Sequence, residues 1–232
     1  MAKHEEIDLF PGEKRLVFLI DGSPVLEAEA WCGPPTEHPA VGDEPFGAGP
    51  TDPGTFVISG LERHSTAKWK WSRIRWGSRL RPNPKDIEDL LWEDSPGHWR
   101  SLKKMTGFRR ANVAHRFFEL YGEWRVPETW LFNDFGPIAI RYFKDLNRDG
   151  RLDGKESLSG EMFHTTPDNE AETAKFLKAN PKKASDDAPV QMFESHGCIH
   201  LSPAQRDAFI NAGAFKAGMK LVIHTYAERF RP

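Results

Sequence analysis

Six residues near the C-terminal end, Ser195-His196-Gly197-Cys198-Ile199-His200, restrict this chain more than any other stretch. They place a thiol directly after a glycine and within two residues of two histidines. A cysteine attacks as its thiolate, which forms more readily beside an imidazole or backbone N–H donors. Gly197 lets the backbone come close to a bound group, where N–H donors can face a developing oxyanion. Leu201-Ser202-Pro203-Ala204-Gln205 then reads as a helix start. Ser202 is the N-cap, Pro203 the first helical residue and Gln205 the partner of a capping box. Cys198 is therefore expected on the turn that enters a helix. Two blander readings stand beside this one. A lone cysteine is usually a small buried hydrophobe. His196, Cys198 and His200, completed by His164, also have the residue types of a zinc set, although no second ligand pair at zinc-finger spacing is present.

At 232 residues the chain suits one domain with insertions, or one domain and a small subdomain. A net charge of −2 gives no field that would steer it to nucleic acid. The 8 tryptophans call for either a thick core or a surface on which sugars stack. The 2 cysteines, Cys32 and Cys198, make no disulfide framework, and bridging them would consume the candidate nucleophile. Residues 1–11 contain no apolar signal segment, and the longest apolar run, Leu16–Ile20, is too short to span a bilayer.

Along the chain, Arg15–Ile20 reads as a buried strand, Asp21-Gly22-Ser23-Pro24 as a turn and Val25–Trp31 as the hairpin partner. Residues 33–54, rich in Gly and Pro, read as an ordered loop that delivers the strand Thr55–Ile58. Between Lys68 and Arg81, six basic residues interleave with Trp69, Trp71 and Trp76. The structural reading is a twisted strand pair with the indoles packed inward. The functional reading is a groove for a glycan or an anionic polymer, with a nucleic-acid groove a poor third. Residues 82–135 read as a helical insertion and possible lid, with helices at Asp86–Trp92 and Thr106–Gly122. Gly136–Phe143 reads as a core strand.

The following run fits the calcium-loop template. Asp145, Asn147 and Asp149 supply side-chain oxygens at positions 1, 3 and 5, and Gly150 permits the sharp turn at 6. Arg151 gives its carbonyl at 7, Asp153 acts through water at 9, and Glu156 is the bidentate ligand at 12. A solvated acidic turn is the bland alternative. Because a strand precedes it, the loop is expected to be isolated, with a structural calcium rather than a sensor pair. The chain closes with an insertion at 167–190 carrying a helix at Glu170–Asn180, then the helix Pro203–Ala214 and the strand Met219–Thr225.

Ser-His-Gly-Cys-Ile-x-Leu-Ser at residues 195–202 resembles the signature of the L,D-transpeptidase catalytic domain, the YkuD-type fold that remodels bacterial peptidoglycan. Two further segments fit. Thr51-Asp52-Pro53-Gly54-Thr55-Phe56 resembles the family's Thr-Pro-x-Gly-Thr-Phe, with Asp52 where the family often has Pro. Glu161–Pro167 resembles the strand that bears the family's histidine base. The resemblance implies a mainly β core, a curved sandwich or open barrel with helical insertions. It implies His164 as base, the Thr165 carbonyl as orienter of its ring, and Cys198 as nucleophile. Gly197 and Cys198 N–H groups with His196 would form the oxyanion hole, and Ser195 and His200 would contact substrate. It makes peptidoglycan stem peptides the partner, and the periplasm or cell exterior the place of action. The missing signal segment then implies either that a signal has been removed or that export takes another route. Two departures stand out: 34 residues separate His164 from Cys198 where the family usually has far fewer, and His200 replaces the usual arginine. Transpeptidation, L,D-carboxypeptidase hydrolysis, a secreted antibacterial effector with an immunity or secretion partner, and a non-catalytic calcium-stabilised wall-binding module all remain open at this point.

Overall fold

Asp21 and Gly22 both take left-handed backbone, with φ of 52° and 77°, which is the two-residue hairpin turn that an Asp-Gly pair specifies. It joins two of the eleven strands in the computed structural model, which describes residues 3–40 and 47–231. The first part of the loop read at 33–54 is described, but residues 41–46 lie outside the described residues. In chain order the strands are β1 Glu5–Phe10, β2 Arg15–Ile20, β3 Ser23–Glu29 and β4 Gly54–Glu62. Then come β5 Leu80–Pro82, β6 Leu90–Ser95, β7 His98–Ser101 and β8 Ala139–Phe143. The last three are β9 Leu158–His164, β10 Ile199–His200 and β11 Lys220–Ile223. The helices are α1 Leu102–Thr106, α2 Arg110–Tyr121, α3 Pro167–Ala179 and α4 Pro203–Asn211.

The chain divides into two compact units. The first contains residues 1–62, 139–164 and 191–232. Its sheet has eight strands in the order β10-β9-β8-β4-β11-β1-β2-β3. The sheet is mixed: β1 pairs with β11 and β9 with β10 in parallel, and the other neighbours are antiparallel. The mainly β expectation holds, as an open sheet rather than a closed barrel. One core forms on it from Ile7, Leu9, Phe18, Ile58, Tyr142, Phe163, Ile199, Phe209 and Leu221 among others. At about 1.5–3 kcal/mol for each fully buried large side chain, this core dominates the unit's stability. Ser202 accepts the Gln205 N–H and Gln205 returns the bond, so α4 begins with the expected capping box.

The second unit contains residues 63–138 and 165–190. It packs Ile74, Trp92, Leu102, Phe117, Trp130, Phe132 and Ala171 around the antiparallel sheet β5-β6-β7 and its helices. α2 stops at Gly122, left-handed at φ 73°, as its sequence predicts. Two expectations change here. Asp86–Trp92 is not a helix but turns followed by β6. The Asp89 carboxylate, which is buried, accepts bonds from Ser101 Oγ, Lys103 N–H, Leu90 N–H and Asn83 Nδ2, an arrangement that a helix would break. Nor is Lys68–Arg81 a strand pair: it holds a single 3-10 turn at Trp71–Arg73 before β5 begins. Side chains hold this irregular backbone, with Asn133 Nδ2 donating to the His64 and Ile74 carbonyls and Trp130 Nε1 to the Trp71 carbonyl.

Candidate active site

The centre of the site is the parallel pairing of β9 with β10, in which Ile199 sits opposite Phe163 and His200 opposite His164. Phe163 and Ile199 are fully buried core residues, so this register is tied to burial and a one-residue slip would expose both. His164 is 4% exposed, and its ring centroid lies 4.6 Å from that of His200 with the planes at 76°. Cys198 immediately precedes β10 and takes a backbone hydrogen bond from Met162, two residues before His164 on β9. The candidate nucleophile Cys198 and the candidate base His164 therefore lie at the ends of neighbouring strands.

The turn that holds Cys198 is stitched by Ser195. The Ser195 hydroxyl donates to the Cys198 carbonyl and accepts the Gly197 N–H at 3.0 Å, while its own N–H reaches the Cys32 carbonyl at 3.1 Å. Ser195 is 5% exposed, so it acts as an internal brace rather than as the expected substrate contact. The same bond changes the expected oxyanion hole, because the Gly197 hydrogen is spent on Ser195. Gly197 has φ 126°, which favours glycine, and a Cβ there would stand 3.3 Å from Glu161 Oε1. Its carbonyl accepts Thr51 Oγ1 at 2.7 Å, and Thr51 in turn accepts the Gly33 N–H. Tyr226 closes this network by donating to the Gly33 carbonyl and accepting the Thr51 N–H.

Burial pushes the Cys198 thiol up to about 11, and the Glu161 charge adds to the rise; the Met162 bond and the Arg141 charge oppose it. The thiol is therefore protonated at neutral pH, and attack needs a base to take its proton. Burial lowers His200 to about 4, and His196 adds to the fall, so the ring is neutral. Its Nδ1 bonds to the Phe193 carbonyl at 3.1 Å. The cation that an arginine would bring at position 200 is absent, and Arg141 supplies the positive charge that reaches Cys198. Cys32 is buried and its thiol is pushed up to about 12, so it behaves as a structural residue. Thr165 is fully buried, and its hydroxyl donates to Glu170 at 2.6 Å.

Trp69, Trp71 and Trp76 all belong to the second unit and are half-buried. Trp71 spends its ring on Phe108, stacked at 3.9 Å, and on Trp130. Asp145, Asn147, Asp149, Arg151, Asp153 and Glu156 lie on the loop between β8 and β9, in the first unit. Asp145 accepts the Arg148 and Gly150 N–H groups, Asp149 accepts Arg151 N–H, and Glu156 accepts Leu146 N–H. The Asp149 charge raises the Asp153 carboxyl, with burial, Glu156 and Asp145 adding to the effect. Among the described residues, no three His, Cys, Asp or Glu side chains converge as ligands of one ion, either here or at His164, His196, Cys198 and His200. The loop is folded through its own N–H groups.

Glu161, Tyr142, Asp52, Thr51 and Tyr226 belong to the site's surroundings and were not among the sequence candidates. The one available signal was Asp52 in a position where proline is common, since proline has no N–H to donate.

A family model described as the YkuD L,D-transpeptidase catalytic domain matches residues 5–213. No curated protein matches. Among solved structures, L,D-transpeptidase 1 of Mycobacterium tuberculosis is 13% identical, with a TM-score of 0.36 over 96% of this chain and 62% of that one. The L,D-transpeptidase of Xylanimonas cellulosilytica is 10% identical, with a TM-score of 0.40 over 97% of this chain and 62% of that one. The catalytic domain of the Enterococcus faecium enzyme (E. faecium) is 13% identical, with a TM-score of 0.30, and the match covers 96% of this chain and 97% of that one. This chain thus spans 62% of the length of each of the first two.

Proposed function

Because the chain belongs to the L,D-transpeptidase catalytic-domain family, we propose that it transfers peptidoglycan stem-peptide acyl groups through a Cys198 thioester. The observation that best supports this is the register that sets His164 opposite His200, two residues from Cys198. His164 takes the thiol proton, and the thiolate attacks the carbonyl between an L-centre and a D-centre residue. The Cys198 N–H, aided by His196, faces the oxyanion, since the Gly197 N–H is held by Ser195. The C–N bond breaks, the D-residue leaves as an amine, and the acyl group stays on sulfur. An amine then gives a cross-linked or exchanged product, whereas water gives a shortened stem. Such work on the wall sets the protein outside the cytoplasm, and no described helix is long and apolar enough to cross a membrane.

Chromatography of purified muropeptides after incubation tests this reading. Wild type is expected to remove the terminal D-residue, and Cys198→Ala to leave every muropeptide unchanged. Equal turnover by both proteins would refute it.

The loop 145–156 carries a second proposal, that it takes a calcium ion with a structural role. Asp145, Asn147, Asp149 and Glu156 would give side-chain oxygens, Arg151 its carbonyl, and Asp153 a water contact. The spacing supports this, since Asp145, Asn147, Asp149, Asp153 and Glu156 fall at positions 1, 3, 5, 9 and 12, and Gly150 at position 6 is left-handed at φ 74°. The ion would order the connection into β9, whose last residue is His164.

A further inference from the structure

Glu161 is a half-buried acid that the acyl-transfer steps above do not use. Its carboxylate lies over Gly197, 3.3 Å from where a Cβ on that residue would stand. Tyr142 OH donates to it at 2.9 Å, and the Asp52 N–H donates at 3.1 and 3.3 Å to its two oxygens. The Asp52 bond exists only because position 52 is not proline. The titratable groups that face the carboxyl are Asp52 on the segment before β4, Tyr142 on β8, and Cys198, Cys32 and Tyr226. No Lys, Arg or His among the described residues pairs with it. An acid beside the nucleophile without a protein counter-ion suits a cationic ligand, and both nitrogen species of the proposed reaction are ammonium ions in free solution.

We propose that Glu161 is a second catalytic proton carrier, which protonates the amine leaving in acylation and deprotonates the ammonium that attacks the thioester. This rests on the acyl-transfer reading and names the acceptor class as a primary amine. In acylation the thiol proton and the Glu161 proton both pass to the departing nitrogen. The C–N bond breaks, the C–S bond forms, and an ammonium ion and a glutamate anion result. In transfer the ammonium gives one proton to Glu161 and a second to the departing Cys198 sulfur as the C–N bond forms and the C–S bond breaks. The carboxyl is thereby reset. The surroundings of the carboxyl suit this role. Burial lifts it to about 7, with the Tyr142 and Asp52 bonds opposing the rise and the Asp52 charge adding to it. A carrier that titrates near the working pH both gives and takes protons.

Two donors with the same acyl group separate the outcomes: a stem peptide, whose leaving group is an amine, and a thioester, whose leaving thiolate needs no proton. Mass spectrometry follows the Cys198 adduct and its transfer to a D-amino acid. Glu161→Gln is expected to form the adduct from the thioester within about threefold of wild type. From the peptide it is expected to be slower by on the order of 100-fold, with a similar loss in transfer. Equal loss with both donors would place Glu161 in thiol activation or folding and overturn the proposal, as would no loss with either. Tyr142→Phe keeps the carboxyl but removes a donor to its charged form, so the pH limb of the transfer step should move upward. An unmoved limb would also overturn it. If wild type gains no adduct from either donor, the acyl-transfer reading itself fails, and this proposal falls with it.

Discussion

Thr51 Oγ1 donates to the carbonyl of Gly197 at 2.7 Å, tying the segment before β4 to the residue before Cys198. Thr51 is fully buried and also accepts the Gly33 N–H, so its hydroxyl serves two otherwise closed backbone groups. Thr51→Val keeps the shape and strands both. The expected cost is about 1–3 kcal/mol in a urea unfolding midpoint, together with slower modification of Cys198. An unchanged midpoint would mean that the network does not hold the turn.

His200 gives the protein a pH dependence with a definite sign. Its folded-state value of about 4 lies below the usual 6.5, so the folded state prefers the neutral ring. Above 6.5 the ring is neutral in both states and contributes no slope. As the pH falls from 6.5 towards 4, the unfolded chain binds the proton first and stability declines. His200→Gln is expected to remove this part of the slope in thermal melts across that window.

The two thiols should differ in reactivity. Cys32 is buried with its thiol pushed up to about 12, whereas Cys198 is only half-buried at about 11. Iodoacetamide under native conditions should modify Cys198 alone. The rate should climb steadily from neutral towards alkaline pH, because burial holds the Cys198 thiol well above neutral. Equal labelling of both cysteines would contradict the burial described.

Much of this was legible because it is local. The Ser202–Gln205 capping box and the Gly122 helix stop each depend on residues within a few positions and appear as read, whereas the Asp21-Gly22 turn is tighter than read, because the partner strand already begins at Ser23 and ends at Glu29. Asp86–Trp92 failed because Asp89 is fixed by Ser101 and Lys103, partners that a helical periodicity cannot see. Glu161 is not legible in the sequence for the same reason: its donors Tyr142 and Asp52 lie 19 and 109 residues away. The motif marks Ser195 as a substrate contact, but its hydroxyl is consumed inside its own turn.

The loop 145–156 should respond to calcium. Titration is expected to raise the melting temperature of the wild type, and Asp145→Asn with Glu156→Gln to abolish the rise while leaving the metal-free melt little changed. No shift in the wild type would leave the loop as a solvated acidic turn.

The most direct test of the central claim is intact-protein mass spectrometry after rapid acid quench of wild type mixed with a stem-peptide donor. The account predicts a mass increase equal to the acyl group, located by proteolysis on the peptide containing Cys198 and absent from Cys198→Ala. Turnover of the donor with no adduct on Cys198, or an adduct elsewhere that survives Cys198→Ala, would contradict it.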